Sequence, residues 1–522
     1  MYKHSWANIA KVGIVATLFT AQTVSAQTKD PIIEKMIAEA TNNSQLEKLA
    51  HELLDKIGPR LVGTPQMQKS HDWVVDTYKS WGITGRNEKW GEWRGWERGV
   101  THIDLISPRV RSLEGTQLAW SPSTKGQAIQ AEAIVIPDVA DSLAFVNWLP
   151  QAKGKVVLIS MNPVSGRPDK NWEEFGLKTS VEKMKKEKAD ATTAWRNRLA
   201  KTGLNAKNLA LAIENAGAAA IVINNWSLGW GVDKIFGANT TKIPTLNLSV
   251  EDYGLVYRLA QSGSKPTLKI VSESKELGVL PAQNTIGEIK STVKPNEYVM
   301  LSAHLDSWDG ASGATDNGSG TIMAMEAMRI LKKYYPNPKR TILAGHWGSE
   351  EQGLNGSRAF VEDHPEIVKN LQALFNQDNG TGRVVNLSGS GFENAKNFIP
   401  KWLAPVPDTI KNHIRTSFPG MPGGGGSDHA SFVAAGAPGF SLSSLGWDYG
   451  TYTWHTNRDT YDKLVFDDIR SNAILAAILV YMACEDPERL SHDKAALPAN
   501  PRTGAPGTWP APAKATRKGG LN

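Results

Sequence analysis

His304-Leu-Asp-Ser-Trp-Asp-Gly-Ala-Ser-Gly-Ala-Thr-Asp-Asn-Gly-Ser-Gly320 decides the fold of this chain. The apolar run from Tyr298 to Ala303 leads into it with the composition of a buried strand, and Thr321 to Lys333 follows with helical apolar periodicity. His304, Asp306 and Asp316 therefore sit on a glycine-rich loop between a strand and a helix. In an open α/β sheet this is the carboxyl end of a strand, where such folds place their chemistry. An imidazole and carboxylates gathered there make a donor set suited to zinc.

Downstream and upstream of this loop the pattern alternates. Asn284–Ile289, Glu297–Ala303, Thr341–His346, Leu371–Asn376 and Gly439–Ser443 are predicted strands, several followed by helices. The alternation predicts an α/β fold with a doubly covered, mostly parallel sheet. Near the amino end, Asp30 to Ile57 is predicted helical, opened by Asp30-Pro31, and Gly58 to Pro65 is a breaker cluster. Gln66 to Trp81 is a second helix. In Thr84 to Ile106, Gly91, Gly95 and Gly99 argue against a helix and for strands and turns.

From Arg111 the composition shifts to short β-rich runs: Ala131–Pro137, Gly154–Ser160, Ala218–Asn224 and Ile243–Ser249. Their order resembles the protease-associated domain, a β-rich module inserted into many exported peptidases. The charged stretch Asp169 to Lys201 is an addition to that pattern, expected as a solvated helix face or a lid. The organisation expected is a signal peptide at 1–26, a catalytic domain split into 27–110 and 273–491, the inserted domain at 111–272, and a disordered Pro-, Ala- and Gly-rich tail at 492–522.

The signal reading rests on Lys3 and Lys11, the short apolar run Val12 to Thr20, and the small residues Val24-Ser25-Ala26 before a cut. The run is too short to span a bilayer, so an exported protein, periplasmic or secreted, free of the membrane after cleavage, is expected. A net charge of +6 spread over 522 residues, with no basic stripe in a recognisable module, argues against nucleic acid as a partner. Cys484 is the single cysteine, which rules out an intrachain disulfide and a thiolate metal cluster.

The chemistry-bearing motifs are "HLDSWDGASGATDNGSG", "HWGSEEQGLNGS", "NQDNGTG", "SDHASF" and "WHTNRDT", in that order. Together they resemble the two-zinc aminopeptidase family of metallopeptidases, and within it the carboxypeptidase Q (plasma glutamate carboxypeptidase) branch. The resemblance implies two Zn2+ per chain. It implies His304, Asp316 and Glu351 on a first ion, with Asp316 bridging, and Asp378 and His455 on a second. It implies Glu350 as general base toward a metal-bound hydroxide. Asp306 is expected to hold the His304 imidazole from behind. Ser427-Asp428-His429 and Asp459 are expected to fix loops.

The activity so implied is that of an exported zinc exopeptidase acting on dipeptides or short peptides, with a homodimer as the family's assembly. Relatives that place Tyr before the last His have an oxyanion donor there. Here Trp454 stands in that place, leaving Tyr449, Tyr452 or a metal for the task. Arg383 and Arg415 are candidates for a substrate carboxylate. Two other readings share the fold: a non-catalytic peptide-binding or receptor-like protein, which would have lost ligands, and a one-zinc glutaminyl cyclase-like enzyme. All five ligand positions are filled here. There is no HExxH helix, no lysine following the glycine run before Ser427 as a phosphate loop needs, and no properly spaced nucleophile elbow around Ser390.

Overall fold

A computed structural model of the chain describes residues 30–423, 425–499 and 504–520. The expected signal peptide lies outside the described residues. In chain order the strands are β1 (Thr84–Ser107), β2 (Arg111–Ser112), β3 (Gly115–Gln117), β4 (Ile129–Val135), β5 (Val156–Leu158), β6 (Ala220–Ile223), β7 (Thr245–Leu248), β8 (Thr267–Ile289), β9 (Lys294–His304), β10 (Arg340–Trp347), β11 (Leu371–Asn376), β12 (Val384–Ser388), β13 (Arg415–Ser417), β14 (Gly439–Ser444) and β15 (Lys518–Gly519). They hydrogen-bond in the order β13-β12-β14-β11-β9-β10-β8-β4-β5-β6-β7-β3, with β1 paired along β8.

The centre of this sheet is parallel: β14, β11, β9 and β10 run together, with antiparallel β12 and β8 on their flanks. Every residue of β10 and β11 is buried, as expected for strands covered on both faces. On one face, the helices Pro31–Asn42, Ser319–Tyr334 and Phe466–Glu485 supply Met36, Ile322, Met325, Leu475 and Leu479 to one core. On the other, Trp347, Phe360 and Phe432 pack together beneath Asn355–Asp363 and His429–Ala434. Each fully buried Leu, Ile or Phe contributes roughly 1.5–3 kcal/mol, so the two layers hold the loops at the strand ends on a rigid base.

β4, β5, β6 and β7 form a second parallel set, with apolar cores of its own on both faces. The charged stretch is helical as expected, over Asp169–Phe175 and Lys178–Lys201. The expected domain limit at 272/273 falls inside β8, so the β1–β8 ribbon passes unbroken from one parallel set to the other.

Three expectations are corrected. Thr84 to Ile106 is one long strand, its register shifted at Lys89/Gly91, Gly95/Trp96 and Arg98/Thr101. The glycines serve these irregular points: a Cβ on Gly91 would lie 2.6 Å from the Arg517 carbonyl oxygen. The first helix ends at Asn42 and restarts at Leu46. The tail is docked over 504–520: β15 pairs with β1, Arg517 bridges Glu362 and Asp363, and Trp509 packs edge-on against Phe392. Its Pro-rich composition concealed two anchoring side chains, Trp509 and Arg517.

The first helix is tied down through Glu39. The side chain of Asp30 accepts from the Ile32 N–H at its start, and Glu39, 2 % exposed, meets Arg329 at 2.6 Å and Lys333 at 2.7 Å. Burial raises the Glu39 carboxyl, but Lys333, Arg329 and Tyr334 outweigh burial and hold it at about 2. A depressed carboxyl contributes stability above its unfolded value near 4.5 and loses it as pH falls toward 2. Glu39→Gln is therefore expected to cost about 2 kcal/mol at pH 7, with the gap from wild type closing below about pH 4.5. Denaturant titrations of both proteins at pH 7 and pH 3.5 check this. An equal gap at the two pH values would contradict it.

Candidate metal centre

The carboxyl ends of β9, β10 and β11 lie side by side, so the loops that follow them converge. His304 ends β9, Glu350 and Glu351 follow β10, and Asp378 follows β11. Asp316 arrives on the glycine-rich loop, and His455 from the loop after the short helix Tyr449–Tyr452. His304 Nε2 lies 3.1 Å from Asp378 Oδ1 and 3.3 Å from Asp316 Oδ1. His455 Nε2 lies 3.2 Å from Asp316 Oδ2 and 2.8 Å from Glu351 Oε2. The result is two three-residue donor groups, His304–Asp316–Asp378 and Asp316–Glu351–His455, which share Asp316.

This grouping corrects the expected one. Asp316 is common to both groups as anticipated, but Glu351 stands with His455 and Asp378 with His304. β9 has β11 on one side and β10 on the other, and the His304 imidazole turns toward the β11 side. Chain order carries no information about that turn.

Asp306 is also corrected. The His304 Nδ1 is 2.9 Å from the Asp306 backbone carbonyl and 3.6 Å from its carboxylate. That carboxylate instead accepts the Glu350 N–H at 3.0 Å and the Glu351 N–H at 3.2 Å. It fixes the turn that presents both glutamates. Asp459 does the same for the bridging residue, accepting the N–H groups of Thr315 and Asp316 at 2.8 and 3.0 Å.

Sequence reasoning missed Arg60. Fully buried, its guanidinium donates to the carbonyls of Leu305, Gly58, Ser312 and Gly313 at 2.6 to 3.0 Å, and its backbone N–H donates to Ser307 Oγ. It thus clamps the start of the glycine-rich loop. The breaker cluster around it was the available signal, but no spacing rule ties an arginine to a loop so distant in the chain.

The electrostatics fit bound dications. Burial pushes the Glu351 carboxyl up to about 8 and the Asp428 carboxyl to about 8, and raises Asp378 and, further still, Glu350. Burial lowers His455, yet Asp316 and Glu351 outweigh it and hold the imidazole at about 9. Asp316, Glu350, Glu351, Asp378 and Asp428 outnumber the imidazoles they face. Glu351 Oε1 is buried and accepts no hydrogen bond. Oxygen and nitrogen donors crowded out of water in this way suit zinc.

A cavity of about 530 Å³ opens beside the centre, bounded by Thr315, Gly380, Tyr449 and Tyr452, with Trp230 and Trp447 farther out. Its cationic lining residues are Arg458 and Lys463. Arg383 lies 3.9 Å from Asp468, and Arg415 is on the exposed β13. Neither lines this cavity. The Trp454 ring lies against the His455 ring, centroids 4.1 Å apart.

Residues 284–480 match peptidase family M28. The M28 segment contains every member of both donor groups. Over most of its length the chain is also similar to carboxypeptidase Q of Mus musculus, 25% identical over 459 residues covering 88% of this chain and 89% of that protein. The Bos taurus protein of the same name is 26% identical over 463 residues, with the same coverage. Among solved structures, a peptidase M28 precursor from Shewanella amazonensis superposes with a TM-score of 0.63 at 22% identity, covering 88% of this chain and 97% of that one. A zinc aminopeptidase from Bacillus subtilis gives 0.54 at 20% identity, covering 86% and 97%. The M28 peptidases thus share the doubly covered, mostly parallel fold described above. Among the described residues, no helix is long and apolar enough to cross a membrane.

Proposed function

We propose that this chain is a zinc-dependent exopeptidase that hydrolyses dipeptides or short peptides. The observation that carries the reading is the pair of donor groups sharing Asp316, with Glu350 half-buried on the same turn as Glu351 and outside both. His304, Asp316 and Asp378 would hold one zinc ion and Asp316, Glu351 and His455 the other. Zinc there supplies Lewis acidity toward a carbonyl and toward water. Glu350 takes a proton from the attacking water on its carboxylate and passes it to the leaving amine. Asp306, through the two N–H groups it accepts, holds Glu350 in reach of that water without touching the reacting atoms. Similarity to proteins named carboxypeptidase Q supports an exopeptidase, and the cavity beside Thr315 and Tyr449 has room for a short peptide.

Purified protein is expected to contain two zinc equivalents. Exhaustive chelation is expected to abolish hydrolysis of free dipeptides, and added zinc to restore it. Undiminished hydrolysis by metal-free protein would reject the reading. One equivalent with full activity would favour the one-zinc alternative. Comparing free dipeptides with N-blocked and C-amidated forms then sets which terminus is required.

A further inference from the structure

A histidine that ligates a metal usually has its ring fixed by a hydrogen bond from its second nitrogen. His304 follows this pattern, with Nδ1 set 2.9 Å from the Asp306 carbonyl. His455 does not: its Nδ1 is buried and has no hydrogen-bond partner. Rotation of this ring is therefore restrained by what packs against it. Its neighbours are aromatic. Phe236 meets it edge-on at 5.4 Å and 88°, Trp308 lies at 6.1 Å, and Trp454 at 4.1 Å. Phe236 also meets Trp308 edge-on at 5.3 Å, which locks the two rings to each other.

Phe236 belongs to the 111–272 segment, and the backbone beside it holds the backbone of His455. The Ile235 N–H donates to the His455 carbonyl at 2.9 Å, and Lys234 bridges to Thr456. The Asp233 N–H donates to Asn457 Oδ1 at 2.9 Å, and the Asn457 N–H donates to the Asp233 carbonyl at 3.0 Å. Lys234 Nζ reaches the carbonyls of Gly450 and Trp454, each at 3.1 Å. His455 itself has φ of 59°, a left-handed conformation that a histidine keeps where its surroundings enforce it.

We propose that Phe236 is a positioning residue for His455: its ring takes the place of the missing hydrogen bond and aims Nε2 at the Asp316–Glu351–His455 site. The 111–272 segment is on this account a working part of the metal centre. This inference rests on the two-zinc reading above.

The test is zinc titration of the metal-free full chain against a chromogenic chelator, with thermal unfolding of the metal-free protein measured beside it. Phe236→Ala is expected to weaken one zinc equivalent by about tenfold or more, leaving the other within about twofold of wild type. The metal-free melting temperature should stay near wild type, because Phe236 is only half-buried. Phe236→Tyr, which keeps the ring, should restore the affinity, and Phe236→Leu, which keeps apolar bulk without a flat edge, should fall between. Wild-type affinity at both equivalents in Phe236→Ala overturns the proposal. So does equal weakening of both with a fall in melting temperature, since that is loss of structure and not of aim. If Phe236→Ala does not fold, Phe236→Leu decides by the same criterion. A wild-type protein that binds fewer than two equivalents refutes the two-zinc reading before any variant is compared.

Discussion

Glu350→Gln is expected to lower kcat for peptide hydrolysis by about 10²–10⁴-fold, with zinc content and KM close to wild type. Glu350 is outside both donor groups, and its place is set by its backbone, whose N–H is held 3.0 Å from Asp306 Oδ1. Gln keeps the size and the burial but cannot accept a proton. Glu351→Gln should behave differently. Glu351 Oε2 lies 2.8 Å from His455 Nε2 inside a donor group, so its loss should empty zinc first and activity as a consequence. Zinc analysis beside steady-state kinetics separates the two. A Glu350→Gln protein without zinc, next to a fully loaded Glu351→Gln protein, would mean that the two carboxylates have exchanged roles. Wild-type turnover by Glu350→Gln would remove the proton-shuttle assignment altogether.

Arg60→Met is expected to destabilise the protein by about 3–5 kcal/mol, the usual cost of removing one partner from a buried charged network. The guanidinium donates to the buried carbonyls of Leu305 and Gly313 and to the half-buried ones of Gly58 and Ser312. Methionine fills much of the volume but donates nothing, leaving the buried Leu305 carbonyl without this partner. The damage should be directional as well as large, because Ser312 and Gly313 immediately precede the residues that carry Asp316. Zinc affinity should fall with stability. Urea unfolding of the metal-free proteins gives the first quantity and zinc titration the second. A loss under about 1 kcal/mol would show that the loop holds its shape without the clamp.

Much of the central sheet was legible because buried parallel strands must be continuously apolar, and the runs ending at Ala303, His346 and Asn376 obey that rule. The five residues that gather in the two donor groups were legible for a related reason: each stands at or soon after a strand or in a short motif of limited chemistry. Which ligands stand together was not, since it depends on the side to which the His304 ring turns. The role of Asp306 was hidden in the same way. Spacing places it two residues from His304, but its carboxylate serves amides brought in by β10. Arg60 and Phe236 make their contacts across great sequence separation, and no local pattern distinguishes them from ordinary buried or half-buried residues.

The pairing of β15 with β1 has a consequence for how the molecule is made. β1 leaves the ribosome long before β15, its partner across most of the described sequence. The outer edge of β1 near Glu92 and Trp93 therefore stays open until β15 emerges, a stretch of unpaired backbone that invites association with other chains. Removing Lys518 and Gly519 would leave that stretch of β1 without its parallel partner.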